Sequence, residues 1–209
     1  MEPNLQVESF TMNDLYDVFT KSAQRPTILC DVDNTLAWTL NQSLAMLNAK
    51  FNTNMRLSDV TVYHFAANLP FEQSTWLKAQ YARNMTYVNL APDFHAIDAV
   101  NTLYDRGYNV VIGTSRDAMM KNVTAAWLDE WGVKRSDLVV GETAKVDYVA
   151  QHSNVIAIDD DPSTALKIAS MNAQVWIPER TYTPSWCSSS KMMNVQVFND
   201  WNSLLTHLT

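Results

Sequence analysis

Short apolar runs that alternate with helical stretches constrain the fold of this chain more than any other feature of its sequence. The run Thr27–Cys30 follows a proline and holds only apolar or β-branched residues, which is typical of a strand buried on both faces. Similar runs lie at 108–113, 138–140, 155–158, 173–177 and 195–198. Helical patterns lie at 12–23, 92–106, 117–131, 143–151, 162–171 and 199–208. The alternation predicts an α/β fold, with a Rossmann-like parallel sheet and helices on both faces.

Residues 38–91 interrupt this alternation. The segment shows helical patterns at 39–50, 57–63 and 71–84, contains no convincing strand and is rich in aromatic residues. We expect it to form a small α-helical cap inserted into an α/β core made of residues 1–37 and 92–209. The alternative is a longer helical excursion with a small core of its own, in which most of the aromatic residues serve packing alone.

Composition and charge argue against several classes of protein. The net charge of -7 is unfavourable for binding duplex nucleic acid, which needs a basic surface. The two cysteines, Cys30 and Cys187, are too few for a disulfide framework and lack the spacing of zinc ligands. No apolar run approaches the roughly 20 residues that span a bilayer, and residues 1–10 lack the basic and apolar regions of a secretory signal. We therefore expect a cytoplasmic protein without a membrane partner.

Chemically active side chains directly follow three of the predicted strands. They are carboxylates after the first and fourth strands, hydroxyl and guanidinium groups after the second, and a lysine near the start of a short helix. In chain order they are Asp31, Asp33, Thr114, Ser115, Arg116, Lys145, Asp159 and Asp160. Because open α/β sheets bind ligands at the carboxyl ends of their strands, we expect these groups to converge on one active site.

Each of these groups has a structural explanation when it is taken alone. The sequence Asp-Asp-Asp-Pro at 159–162 is a common helix start, because acidic groups are favoured at the N-terminus of a helix. Thr114 and Ser115 fit a helix N-cap, and Lys145 fits a solvated surface lysine. Arg116 fits either a contact with the substrate or a surface ion pair. The joint pattern, rather than any single residue, indicates an active site.

This joint pattern resembles the four motifs of the haloacid dehalogenase superfamily of phosphohydrolases. The first motif, an apolar strand followed by Asp-x-Asp-x-Thr, matches residues 29–35, and the second, a strand ending in Thr or Ser, matches 111–114. The third motif is a lysine, matched by Lys145, and the fourth, an apolar strand followed by Asp-Asp, matches 156–160. The resemblance covers residues 26–178, and it implies a type 1 cap in the long gap between the first two motifs.

Within this superfamily the chain is most similar to the 5′(3′)-deoxyribonucleotidases. The shared features include a small helical cap, a Thr-Ser second motif and a run like Leu90-Ala91-Pro92 before the returning helix. Two positions depart from that family, which usually has glycine where Asn34 stands and an aromatic residue where Thr39 stands. Both departures concern the nucleoside pocket rather than the catalytic groups.

The resemblance and the chemistry of phosphate esters imply a role for each motif residue. Asp31 would attack phosphorus and form an aspartyl-phosphate, and Asp33 would protonate the leaving oxygen and then deprotonate the hydrolytic water. Thr114 and Lys145 would stabilise the phosphoryl oxygens. Because Asp31 repels a phosphate dianion, a cation has to bridge the two, and Mg²⁺ suits such an all-oxygen site. Its protein ligands would be Asp31, the backbone carbonyl of Asp33, Asp159 and Asp160.

Candidates for substrate binding come from the predicted cap, the second motif and the long connection at 178–193. They are Trp38, Phe65, Phe71, Ser115, Arg116 and Arg180. The connection leaves the carboxyl end of the fifth predicted strand, so it begins on the active face, where Tyr182 or Trp186 would wall the pocket. The alternative is a surface loop that only leads to the sixth strand.

The sequence thus predicts a Mg²⁺-dependent phosphomonoesterase that hydrolyses (deoxy)nucleoside monophosphates or another small phosphate ester. A nucleic-acid 3′-end phosphatase is an alternative, since polynucleotide phosphatase domains share these motifs, and the acidic charge and the cap argue against it. A catalytically silent binding protein of the same fold is a second alternative, and the complete motif set argues against that. The expected partner is a small phosphorylated molecule such as a nucleotide, with no duplex nucleic acid, and a homodimer is left open.

Overall fold

The structure is a computed structural model that describes residues 25–83, 86–87, 89–188 and 194–208. Its strands are β1 (Thr27–Cys30), β2 (Asn109–Thr114), β3 (Asp137–Val140), β4 (Val155–Ile158), β5 (Gln174–Pro178) and β6 (Val195–Phe198). Its α-helices are α1 (Thr39–Phe51), α2 (Phe71–Ala82), α3 (Phe94–Asp105), α4 (Lys121–Glu130), α5 (Ala144–Gln151), α6 (Pro162–Ala169) and α7 (Trp201–Leu208). The helix predicted at 12–23 lies outside the described residues.

The six strands form one parallel sheet in the order β3-β2-β1-β4-β5-β6. The order reverses at β1, which pairs with β2 on one side and with β4 on the other. A crevice for a ligand opens at such a reversal, outside the carboxyl ends of the strands. The predicted α/β fold with a Rossmann-like parallel sheet is therefore confirmed, and the central strands β1 and β4 are directly followed by Asp31 and Asp159.

The strands are mostly apolar because both faces of the sheet are covered. Successive side chains of a strand point to opposite faces, so Ile28 and Cys30 join one core cluster while Leu29 joins the other. Helices α3, α4 and α7 cover the first face, and α5 and α6 cover the second. Each large aliphatic side chain that is fully buried contributes about 2 kcal/mol to the free energy of folding. This burial keeps the ends of the strands in fixed positions.

Several helix boundaries differ from the sequence-based expectation. The pattern at 57–63 forms only a short 3₁₀ helix, Leu57–Asp59, so the longer helix expected there is wrong. Helix α3 begins at Phe94 rather than at Pro92, because Asp93 is its N-cap and accepts hydrogen bonds from two backbone amides of the first turn. Helix α4 begins at Lys121, after a 3₁₀ turn at Ala118–Met120.

The segment 38–91 contains α1, α2, the 3₁₀ helix Leu57–Asp59 and a second 3₁₀ helix, Phe65–Asn68. Its two ends lie side by side, since Trp38 N donates to Ala91 O at 2.9 Å and Ala37 pairs with Pro92 in an antiparallel bridge. The segment thus leaves and rejoins the core at one point. Within the described residues, no helix has the length and apolar character that crossing a membrane requires.

Candidate active site

Three side chains of the predicted site meet in the interior of the protein, at the carboxyl edge of the sheet. Lys145 Nζ lies 2.6 Å from Asp31 Oδ1 and 2.6 Å from Asp159 Oδ2. Asp31 follows β1 and Asp159 follows β4, and the two strands pair directly, with Asp31 N donating to Ile158 O at 2.8 Å. All three side chains are at most 5% exposed. The lysine is therefore a buried counterion of two carboxylates and not a surface residue.

Gly113 makes room for this lysine. A Cβ atom built at Gly113 would lie 2.7 Å from Lys145 Cγ and 2.9 Å from Leu29 Cδ1, which is too close for either neighbour to stay in place. The glycine next to Thr114 therefore lets the lysine stem pass over β2 and reach the carboxylates. Thr114 itself ends β2 with its side chain buried in the same region.

The carboxylates of Asp31, Asp159 and Asp160 form a group in which one oxygen from each residue lies within 4.8 Å of the others. All three are buried, and Lys145 is the cation that pairs with two of them. Burial and the neighbouring carboxylates raise the pKa of Asp31 well above its ordinary value, against the opposing effect of Lys145. Burial and the charge of Asp159 raise the pKa of Asp160 to about 7. The group has more negative charge than its lysine balances, and a divalent cation on these oxygens would balance it.

Asp33 has different partners from Asp31. Arg116 donates two hydrogen bonds to its carboxylate, from Nε to Oδ2 at 2.8 Å and from Nη2 to Oδ1 at 2.7 Å. Thr39 Oγ1 donates a third, to Oδ1 at 2.5 Å. Burial works to raise the pKa of Asp33, but the ion pair with Arg116 outweighs it, and the pKa is lowered. Asp33 is therefore held as a carboxylate in this arrangement.

Arg116 is itself buried, with its side chain 1% exposed. Its Nη1 donates to Thr124 Oγ1 at 3.1 Å, and its guanidinium lies 4.0 Å from the centre of the Tyr87 ring. The surface ion pair that was one expectation for Arg116 is wrong, because the pair lies under the cleft rather than in solvent. The guanidinium still borders the cleft, where a substrate contact remains a prediction.

The turn after β1 depends on Asn34, where the resembling nucleotidases usually have glycine. Asn34 has φ 57°, a left-handed conformation that asparagine tolerates better than most residues. Its side-chain oxygen accepts from Leu40 N at 2.7 Å, in the first turn of α1. Its carbonyl accepts from Arg180 Nε at 2.9 Å and Nη2 at 2.6 Å. The asparagine thus keeps the turn, begins the inserted segment and joins both to the connection after β5.

Arg180 also marks a second cavity beside the turn. Its guanidinium lies 5.2 Å from the centre of the Trp38 ring, and both residues line a cavity of about 430 Å³. Three residues, Asn34, Leu40 and Tyr182, line both this cavity and the cleft above Asp31 and Asp33. The start of the 178–193 connection therefore borders the site, whereas residues 189–193 lie outside the described part of the chain.

The cleft above Asp31 and Asp33 has a volume of about 280 Å³. Phe65 and Ser115, two of the predicted substrate contacts, line it, and so do three tyrosines that the sequence analysis did not single out as contacts. The tyrosines are Tyr63, Tyr81 and Tyr87. Phe71 does not line this cleft or the second cavity, and it is 87% exposed. The inserted segment therefore faces the acids with aromatic side chains, but Phe71 is not among them.

Tyr182 makes a contact that sequence reasoning missed. Its hydroxyl donates to Asp160 Oδ2 at 2.5 Å, and both side chains are buried. The sequence analysis placed Tyr182 at the pocket wall, but no local pattern signals a bond between residues 22 positions apart. The same holds for Thr39, which stood out only as a departure from the resembling nucleotidases.

No protein-family model matches the sequence, and no curated protein sequence matches it. Solved structures do match the fold. A haloacid dehalogenase-like hydrolase of Streptococcus pneumoniae superposes with a TM-score of 0.65 at 11% identity, covering 89% of this chain and 99% of that one. A predicted phosphoglycolate phosphatase of Haemophilus somnus gives a TM-score of 0.62 at 12% identity, covering 90% and 99%. A haloacid dehalogenase-type hydrolase of Bacillus subtilis, bound to magnesium, gives 0.59 at 13%, covering 88% and 99%. This chain therefore has the fold of the haloacid dehalogenase-like hydrolases.

Proposed function

We propose that this chain is a Mg²⁺-dependent phosphomonoesterase that forms an aspartyl-phosphate on Asp31. The main support is the buried meeting of Asp31, Asp159 and Lys145 at the ends of two adjacent strands. A second support is the fold, since structures of similar fold are described as hydrolases and phosphatases. Burying several acids around one lysine is costly for stability, and a catalytic role gives a reason to keep them.

The acids fit a hard divalent cation, because carboxylate and carbonyl oxygens are the ligands that Mg²⁺ prefers. Asp31, Asp159 and the backbone carbonyl of Asp33 would hold the ion, with Asp160 binding directly or through water. When bound, the ion offsets the repulsion between the carboxylate of Asp31 and a phosphate dianion. Lys145 adds a fixed positive charge beside Asp31 and Asp159.

In the first chemical step, a carboxylate oxygen of Asp31 forms a bond to phosphorus while the bond from phosphorus to the leaving oxygen breaks. Asp33 gives its proton to that oxygen, so the product leaves as an alcohol. In the second step, Asp33 takes a proton from water, the water oxygen attacks phosphorus, and Asp31 is released with inorganic phosphate. Thr114 would donate a hydrogen bond to the phosphoryl group in both steps.

The ion pair with Arg116 suits Asp33 to the second step, because a carboxylate is the form that deprotonates water. Proton donation in the first step requires Arg116 to release at least one carboxylate oxygen, so that Asp33 can take up a proton from solvent before it protonates the leaving oxygen. A phosphorylated substrate in the cleft offers the guanidinium a competing set of oxygens. On this proposal Arg116 exchanges Asp33 for the substrate as the reaction begins.

The proposed substrate is a small phosphate ester with a flat group, a nucleoside monophosphate being the leading candidate. The cleft volume of about 280 Å³ favours a small molecule over a folded polymer. Phe65 and the tyrosines of the inserted segment provide aromatic surfaces for stacking. The proposed arrangement is a cap formed by residues 38–91 above the edge of the core.

Release of inorganic phosphate from a panel of nucleoside monophosphates and simple sugar phosphates tests this function. We expect turnover with Mg²⁺, none after EDTA, and recovery when Mg²⁺ is restored. The panel includes a 3′-phosphorylated oligonucleotide, so preference for it would favour an end-processing phosphatase. Absence of turnover on every ester with Mg²⁺ present would contradict the proposal.

A further inference from the structure

Tyr182 occupies a special place because its two ends contact different parts of the molecule. Its hydroxyl donates to Asp160 Oδ2, and its ring is 4% exposed. The ring packs in a cluster with Leu40, Leu44 and Val60, all of which belong to the segment 38–91. Tyr182 itself comes from the connection after β5 and so belongs to the core.

Two further contacts join the same stretch of the core to the segment. The ring of Tyr63 meets the ring of Tyr182 edge-on, with centroids 5.7 Å apart. Thr181 Oγ1 donates to Leu57 O at 3.2 Å. Val60 and Tyr63 of the segment are therefore connected to Asp160 through the Tyr182 side chain. A shift of these residues relative to the core would pull on the tyrosine and on the carboxylate that it holds.

We propose that Tyr182 is a positioning residue that orients Asp160 for the metal ion and couples metal binding to residues 57–65. This inference rests on the proposed function, since it assumes that the acids hold Mg²⁺. A carboxylate on a short side chain can rotate, and a hydrogen bond from a buried phenol fixes one orientation. Partners of this kind, one step away from the ion, commonly change metal affinity by about 10- to 100-fold.

The test is the dissociation constant of Mg²⁺, measured by calorimetry on wild-type protein and on Tyr182→Phe. The phenylalanine keeps the ring in its cluster and removes only the hydroxyl. We expect the dissociation constant to rise about 10-fold or more. An unchanged dissociation constant would overturn the inference.

Tyr63→Phe is the matched control, because it removes a neighbouring phenol whose ring meets Tyr182 but for which no bond to Asp160 is seen. Its Mg²⁺ affinity should equal that of the wild type, and an equal loss in both variants would overturn the specific role of Tyr182. A double-mutant cycle separates the loss of the hydrogen bond to Asp160 from a general perturbation of the site. In an Asp160→Asn background, Tyr182→Phe should cost no further affinity, whereas a full additional loss would show that Tyr182 does not act through Asp160.

Coupling to the segment is read by amide hydrogen exchange. Mg²⁺ should slow exchange of residues 57–65 in the wild type, and the protection should be smaller in Tyr182→Phe at the same metal occupancy. Equal protection in both proteins would overturn the coupling. Calorimetry and exchange do not need turnover, so a chain that binds Mg²⁺ but hydrolyses no ester would contradict the proposed function alone. A wild type that binds no Mg²⁺ would contradict both.

Discussion

The two walls of the cleft above Asp31 and Asp33 differ in burial and in the pairing of their charged groups. The sheet-edge wall holds Asp31, Asp159 and Lys145, all buried and joined by ion pairs of 2.6 Å. The facing wall comes from the inserted segment, in which only Val60 and Leu77 are buried between residues 52 and 83. One wall is anchored in the sheet, and the other packs in a small cluster that includes Tyr182 of the core.

The difference in burial and charge pairing implies different roles for the two walls. Buried groups joined by ion pairs keep one geometry, which a phosphoryl transfer step needs. Segments with few buried apolar contacts open at low free energy, which allows substrate to enter. We therefore expect changes in the sheet-edge wall to act on the chemical step and changes in the facing wall to act on substrate binding.

The largest effect should come from Asp31→Asn. The amide cannot attack phosphorus and is a poor metal ligand, so phosphate release should fall by about 10⁴-fold or more, the scale seen when a nucleophile is removed. Asp161→Asn is the matched control, because the side chain of this acid caps α6. It accepts hydrogen bonds from Ser163 N and Thr164 Oγ1. The control should keep wild-type turnover. Comparable turnover in Asp31→Asn and its control would remove Asp31 from the chemistry.

A large effect on stability should come from Arg116→Ala, which tests whether Asp33 belongs to the anchored wall. The variant leaves Asp33 without its buried partner, and we expect the free energy of unfolding to fall by about 3 kcal/mol. Lys134→Ala removes an exposed ion pair with Asp105 and should cost at most about 1 kcal/mol. Urea unfolding of both variants gives the comparison. Equal losses would mean that the Arg116 pair behaves as a surface contact.

The smallest effect should come from the facing wall. Phe65→Ala removes an aromatic surface from the cleft, and we expect KM to rise several-fold while kcat stays close to that of the wild type. Phe71→Ala is the control, since this phenylalanine is 87% exposed and lines neither cavity. Steady-state kinetics on the best ester of the panel measures both. A fall in kcat for Phe65→Ala, with KM unchanged, would contradict the division between the walls.

The sheet and the acids at its edge were predictable because the signals are local. An apolar strand directly followed by a carboxylate places that carboxylate at the strand tip, and the parallel pairing of β1 with β4 brings Asp31 and Asp159 together. The partner of Asp33 could not be predicted from the sequence, because Arg116 lies 83 positions away and the geometry of the ion pair depends on packing. The same reason hides the bond between Tyr182 and Asp160.

The inserted segment was harder to predict for a different reason. Helical spacing located α1 and α2 well, but the pattern at 57–63 gave only a 3₁₀ turn, because few of its side chains are buried. Aromatic residues there do not reveal which of them face the cleft, so Phe65 and Phe71 looked equivalent in the sequence. Cytoplasmic location and a possible homodimer stay predictions.

The most direct test of the central claim is a search for the phosphorylated form of Asp31 in the Asp33→Asn variant. Turnover should fall by about 10²-fold or more, because the water loses its base. With p-nitrophenyl phosphate, whose leaving group needs no proton, the first step should still proceed and the intermediate should accumulate. Acid quenching followed by mass spectrometry should then find one phosphoryl group, located on Asp31 and absent when EDTA is present. Phosphate release without any phosphorylated Asp31, or a phosphoryl group on another residue, would contradict the account.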